Sequence, residues 1–283
     1  MRTLKSKPVL FAFVFFFVCC IFRAIEYFLL RTDQTIVGEA FIHKLAGIAL
    51  LAAALVLIGY KWRDIGFLPN KFLSDTGKGL LLGAGVFIVA YGTEMIIQTA
   101  AGNSPVLNIY VTSYAITGNR SLQGGAWLFV FCIVGNIINV IMEEGTFRGL
   151  FRKLMNENHS FMFACILSSV LFGIWHIAQP IRNVMDGEQS VMGAVMFSLM
   201  LVGTSTLLGI QFCMLNQVTG SIWAGMSAHF VNNTVINLLH VSAAGGIDEL
   251  QTMRIAIAQS LSFVVVLIIY LVDRRKKNQQ LLK

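Results

Sequence analysis

Charge is what this sequence has least of. Asp, Glu, Lys and Arg make up 12% of its 283 residues, about half the share of an ordinary soluble domain. Apolar residues reach 56%, and the mean hydropathy is +0.73. That balance excludes a soluble enzyme. It predicts an all-α fold, a polytopic transmembrane helical bundle forming a single membrane domain over 1–283 with the lipid bilayer as its partner. Cysteines in polar loops are absent too. Cys19, Cys20, Cys132, Cys165 and Cys213 all sit in apolar runs, so neither a disulfide framework nor a cysteine metal site is expected. No internal repeat, low-complexity tract or second domain stands out. The start, "MRTLKSKPVLFAFVFFFVCC", has the basic-then-apolar shape of a secretory signal. It has no small-residue cleavage site after it, so it is expected to persist as a first span. The net charge of +7 is read as marking the cytoplasmic side of a membrane protein, with no nucleic-acid partner.

A spanning helix needs roughly 20 mostly apolar residues. Eight such segments are expected, near 8–30, 40–60, 78–100, 124–150, 160–181, 190–215, 220–240 and 253–273. With both termini cytoplasmic, 14 of the 21 Lys and Arg fall inside and five outside (Arg31, Lys44, Arg120, Arg182 and Arg254), while Arg23 and Arg148 lie within spans. That asymmetry supports an even number of spans and this orientation. The segment 59–75, "GYKWRDIGFLPNKFLSD", mixes basic and apolar residues. It reads as lying in the cytoplasmic interface or as a short ordinary loop.

Ionisable residues in the bilayer cost a few kcal/mol each and so tend to be functional. The candidates are Arg23, Glu26, Glu94, Glu143, Glu144, Arg148, His176 and His229. Arg23 and Glu26, three apart, are expected to neutralise each other. Glu94 reads as a structural or lining residue near the outer end of its span. Glu144 and Arg148 stand at i, i+4 with Glu first, the favourable order for an ion pair within a helix. Glu143 is turned about 100° from Glu144 on an α-helix and has no such partner. A carboxylate left over in a dry site is a candidate general base. His176, on the fifth span just before Pro180, alone reads equally as packing. On the seventh span His229 and Asn233 share a face that Asn237 continues, while Asn232 points away. Polar residues can also glue helices together in lipid, but that role does not readily cover Glu, two His and Asn on three spans.

A carboxylate and an imidazole can deprotonate a water. A second imidazole and an amide can donate to a developing oxyanion. Together they would hydrolyse a peptide bond, and no serine or cysteine stands in a nucleophile motif. The same Glu143, His176 and His229 could instead hold Zn2+ with an open position. The residues leave both versions open. By helix rise, Glu143 and His229 lie ~14 Å from the inner ends of their spans and His176 ~25 Å from His159. To meet, either the fifth helix starts outside the membrane or the fourth extends into the cytoplasm. A cytoplasm-facing cavity is the expectation.

"EEGTFR" (143–148), "FGIWH" (172–176) and "HFVNN" (229–233) together resemble the three ordered motifs of the CAAX prenyl protease type 2 and bacteriocin-processing (CPBP, Abi) family. The resemblance would cover a catalytic core of about 120–240 and implies an eight-helix intramembrane peptidase. It implies that Glu143 and His176 activate water, that His229 and Asn233 form the oxyanion side, and that Glu144 and Arg148 support them. No cofactor is favoured, with Zn2+ as the alternative. The implied partner is a peptide or membrane-protein substrate, and the short loops suit a bacterial plasma membrane. Two other functions compete. A proton-coupled transporter would often show repeats, and a catalytically idle binding or immunity protein would be expected to lack a catalytic position.

Overall fold

A backbone surrounded by hydrocarbon must satisfy its own hydrogen bonds, so apolar runs of this length fold as helices. The computed structural model describes residues 6–35, 40–112, 126–243 and 248–281. Eight helices occupy the eight expected segments. They are α1 (Pro8–Ala24, extended by a π-helical turn Ile25–Leu30), α2 (Ile42–Ile58), α3 (Phe72–Ala100), α4 (Ala126–Met155), α5 (Phe161–Met185), α6 (Val191–Thr219), α7 (Trp223–Leu238) and α8 (Gln251–Leu281). Six of the segments are long and apolar enough to cross a membrane. The remaining two are α2, apolar but only 17 residues, and α7, 16 residues rich in polar side chains.

The punctuation follows local chemistry. Ser160 and Ser190 cap α5 and α6 by accepting from Phe163 N and Gly193 N. Gly59 and Gly220 end α2 and α6 with φ of 80° and 71°, a conformation that favours glycine. Glu26 anchors the start of α2. Its Oε1 accepts from the Phe41 and Ile42 amides at 2.9 Å, and its Oε2 lies 2.5 Å from His43 Nδ1. A short antiparallel ladder pairs β1 (Pro105–Ile109) with β2 (Leu239–Ala243), Leu107 opposite Val241.

One apolar core joins α1, α2, α4 and α5 through Phe15, Leu51, Phe147, Phe151, Phe172 and Trp175. A second joins α6, α7 and α8. A tight seam packs α3 on α7, where Gly79 lies against the Ala224 carbonyl and Ser227 Oγ with no room for a Cβ. Gly79→Val is expected to cost about 1–3 kcal/mol or more by overpacking. Gly85→Val, on the same helix with open space around it, is the control. Equal melting temperatures in detergent would refute this account of the seam.

Three expectations change. Arg23 and Glu26 do not pair with each other, because His43 and two backbone amides already claim Glu26, and Arg23 Nη2 donates instead to Tyr27 Oη at 3.1 Å. Lys44, Arg182 and Arg254 are not outer-loop charges. They lie buried in α2, α5 and α8. Arg182 is tolerated there by its 2.8 Å pair with Asp33, and Arg254 by pairs with Glu94 and Asp248. Arg120 lies outside the described residues. The 59–75 segment is also only partly interfacial. Its Ile65 is fully buried against the core, while Trp62, Phe72 and Leu73 are exposed.

Candidate active site

From Glu144 to Phe151 helix α4 is π-helical, and all eight of those residues are buried. Such i→i+5 turns are common at functional sites. Glu143 itself keeps α-helical dihedrals, with φ of -71° and ψ of -49°, so the two carboxylates leave α4 in different directions. Both nevertheless meet one imidazole. His229 Nδ1 lies 2.9 Å from Glu144 Oε1, and His229 Nε2 lies 3.6 Å from Glu143 Oε2. Behind Glu144 the expected pair is present, with Arg148 Nη1 3.3 Å from Glu144 Oε1 and both side chains at 0% exposure. None of the Arg148 N–H groups is aligned for a hydrogen bond to protein. The guanidinium lies over the rings of Phe172, 3.8 Å away, and Phe212, 5.5 Å away. Those ring faces attract a cation.

Glu143 is not unpartnered. Trp175 Nε1 donates to its Oε1 at 2.9 Å and Asn139 Nδ2 to its Oε2 at 3.0 Å. Neither residue emerged as a candidate from the sequence. Asn139 stands four before Glu143, so i, i+4 spacing could have found it, and Trp175 lies inside the "FGIWH" stretch. These donors fix the carboxylate without neutralising it.

His176 lies where α5 breaks, between the helical segments Phe161–Trp175 and Ala178–Met185. Its Nδ1–H donates to the Phe172 carbonyl at 2.8 Å, which leaves Nε2 with a lone pair. The half-buried imidazole is within electrostatic reach of Glu143 and His229, and the Phe172 ring stacks edge-on against both histidines.

On α7, Asn233 Oδ1 accepts from Asn232 Nδ2 at 3.1 Å, and Asn232 Oδ1 accepts from Gln259 Nε2 at 3.3 Å. Asn232 therefore does not simply point away. It ties Asn233 to α8, and with its oxygen engaged Asn233 keeps its N–H groups for another acceptor. Asn237 donates to Cys132 Sγ at 3.8 Å and continues the face toward α4. A small pocket lies among α3, α6, α7 and α8, lined in part by Phe212, Asn232 and Gln259. Its lining includes none of Glu143, His176, His229 and Asn233, so it is not the expected cavity over them. Among the described residues no three His, Cys, Asp or Glu side chains are grouped to hold a metal ion.

The fold defines a multi-pass helical membrane protein with a cluster of buried ionisable side chains at its middle. Residues 125–235, which contain all three motifs, match the family described as type II CAAX prenyl endopeptidase, Rce1-like. Over 122 residues the chain is 29% identical to a Bacillus subtilis (strain 168) protein named "Putative membrane peptidase YdiL", a match covering 43% of this chain and 42% of that relative. The chain thus matches less than half the length of that relative. Both similarities support the CPBP resemblance over the helices that carry the site.

Proposed function

We propose that this protein is an intramembrane endopeptidase that hydrolyses a peptide bond of a membrane-associated peptide or protein by direct attack of water. The observation that carries the reading is the convergence of Glu143 and His229 from α4 and α7 at 3.6 Å, with His176 of α5 in electrostatic reach of both. In this reading Glu143, held by Trp175 and Asn139, and the Nε2 lone pair of His176 share the water and take its proton. His229 has Glu144 on one nitrogen and Glu143 facing the other. In this reading Nε2 acts as a donor. With the amide of Asn233 it stabilises the oxyanion. Glu144 and Arg148 position His229. The matched regions favour a bacterial plasma membrane, and the charge distribution favours both termini on its cytoplasmic side.

The test is turnover of a peptide library by the purified protein in detergent, with Glu143→Ala beside it. Cleavage that persists in the variant would remove the proposal. Asn233→Ala is expected to lower kcat by about 10²-fold or more, the usual effect of losing one oxyanion donor. An unchanged kcat would free Asn233 of that role. Activity is also expected to survive thorough chelation at neutral pH. Loss with chelator and recovery with zinc alone would replace the glutamate-activated water by a metal-bound one.

A further inference from the structure

Helix α8 lies beyond residues 125–235, the segment that matches the peptidase family. Apolar side chains along it, Val264, Ile268 and Leu271 among them, are exposed, as suits a helix against lipid. Its inner face carries Gln259 and Ser262, three residues apart and so on one side of the helix. Both line the small pocket among α3, α6, α7 and α8, together with Gln211 and Asn232. Gln211 of α6, 1% exposed, donates from Nε2 to Ser262 Oγ at 2.7 Å, which fixes the rotation of α8. Gln259 Nε2 donates to Asn232 Oδ1 at 3.3 Å, and Asn232 Nδ2 donates to Asn233 Oδ1 at 3.1 Å. Hydrogen bonds between membrane helices add little stability on average. Holding the bundle together is therefore a weak reason for placing two such residues on a lipid-facing helix.

The chain of amides has a direction. An amide carries N–H donors at one end and an accepting oxygen at the other. Gln259 donates, so Asn232 accepts on its oxygen and donates from its nitrogen. That nitrogen occupies Asn233 Oδ1 and leaves Asn233 Nδ2 to face the other way. Asn232 and Asn233 are both buried, so bulk water does not substitute for these partners. We propose that Gln259 is a positioning residue: through Asn232 it sets which end of the Asn233 amide faces the oxyanion. The relay rests on the peptidase reading, in which that amide donates to the developing charge. Turned over, Asn233 would present its oxygen to the same charge, and attraction would become repulsion. An interaction made only with the developing oxyanion acts on kcat and leaves KM alone.

The test uses the full-length protein in detergent and a fluorogenic peptide, chosen from the library as one that the unaltered protein cleaves. Gln259→Glu removes the donor and leaves only acceptors, so Asn232 and then Asn233 turn over. Its kcat is expected to fall about 10²-fold, as for loss of the Asn233 donor itself, with KM little changed. Gln259→Lys also brings a charge, but it carries donors only and keeps the direction. Its kcat should exceed that of Gln259→Glu by roughly tenfold or more, a difference within the range of one oxyanion donor. In the Asn233→Ala protein, Gln259→Glu should cost nothing further, because the amide it acts through is gone. Asn232→Asp is nearly isosteric and reverses the same link from its middle, so its kcat should match that of Gln259→Glu. It decides the matter if Gln259→Glu lowers the melting temperature. Equal kcat in the Glu and Lys proteins would overturn the relay, and so would a full further loss from Gln259→Glu when Asn233 is already Ala. Cleavage that ignores Glu143→Ala, or none by the unaltered protein, would remove the peptidase reading and the relay with it. Failure of the Gln259 pattern in an enzyme that depends on Glu143 would remove the relay alone.

Discussion

Glu143→Gln is expected to abolish peptide cleavage while the protein stays folded and inserted. The replacement keeps the shape of the side chain, and its amide oxygen can still accept from Trp175 Nε1, which lies 2.9 Å from the native carboxylate. The other amide position would present N–H groups to Asn139 Nδ2 and His229 Nε2, at 3.0 Å and 3.6 Å from the native oxygen. Rotation of the Asn139 amide relieves the first conflict locally. What cannot be recovered is a proton acceptor. Losing a general base costs ~10²–10⁴-fold in rate, so turnover should fall to the limit of a peptide assay while the melting temperature stays close to that of the unaltered protein. Trp175→Phe separates holding the base from being the base. It keeps most of the apolar contact with Phe147 and His43 and removes one donor, so it should lower kcat without eliminating it. Wild-type turnover by the Gln variant would end the assignment of Glu143 as base.

Much of the scaffold was legible because lipid leaves so few options. Apolar runs of roughly 20 residues read directly as helices. The members of the site were legible for a related reason: in a chain this poor in charge, Glu143, Glu144, Arg148, His176 and His229 stand out against hydrocarbon. Their mutual arrangement was not legible. An α-helical wheel sends Glu143 and Glu144 apart, and the structure lets both meet His229 because they approach its two different ring nitrogens. Residue spacing on α4 carries no mark of a ring delivered between them by α7. Partner choice was equally hidden. Arg23 and Glu26 look like a pair three residues apart, but the amides at the start of α2 and His43 approach Glu26 from a different helix. Such competition between helices is a property of the assembled bundle. The outer-loop placement of Arg182 and Arg254 failed for the same reason, since the acids that let them be buried come from distant parts of the chain.

Arg148→Ala is expected to damage stability and activity together, through the group it leaves behind. Glu144 has 0% side-chain exposure, and its Oε2 has no hydrogen-bond partner. With the guanidinium gone, the carboxylate retains only His229 Nδ1 at 2.9 Å. Breaking one side of a buried ion pair typically costs about 3–5 kcal/mol, because the surviving charge is uncompensated. The faces of Phe172 and Phe212 also lose the cation they enclose, and a void opens between them. Thermal melting in detergent should fall by many degrees, and an unchanged midpoint would mean that the pair contributes nothing. A second variant separates charge from function. Arg148→Met with Glu144→Gln fills most of the same volume and leaves no buried charge, so it should recover most of the melting temperature. It should not recover turnover. The carboxylate that holds the His229 ring through Nδ1 is then an amide, and the imidazole loses its charged anchor. A double variant that is both stable and fully active would show that Glu144 and Arg148 hold the bundle together without setting the state of His229.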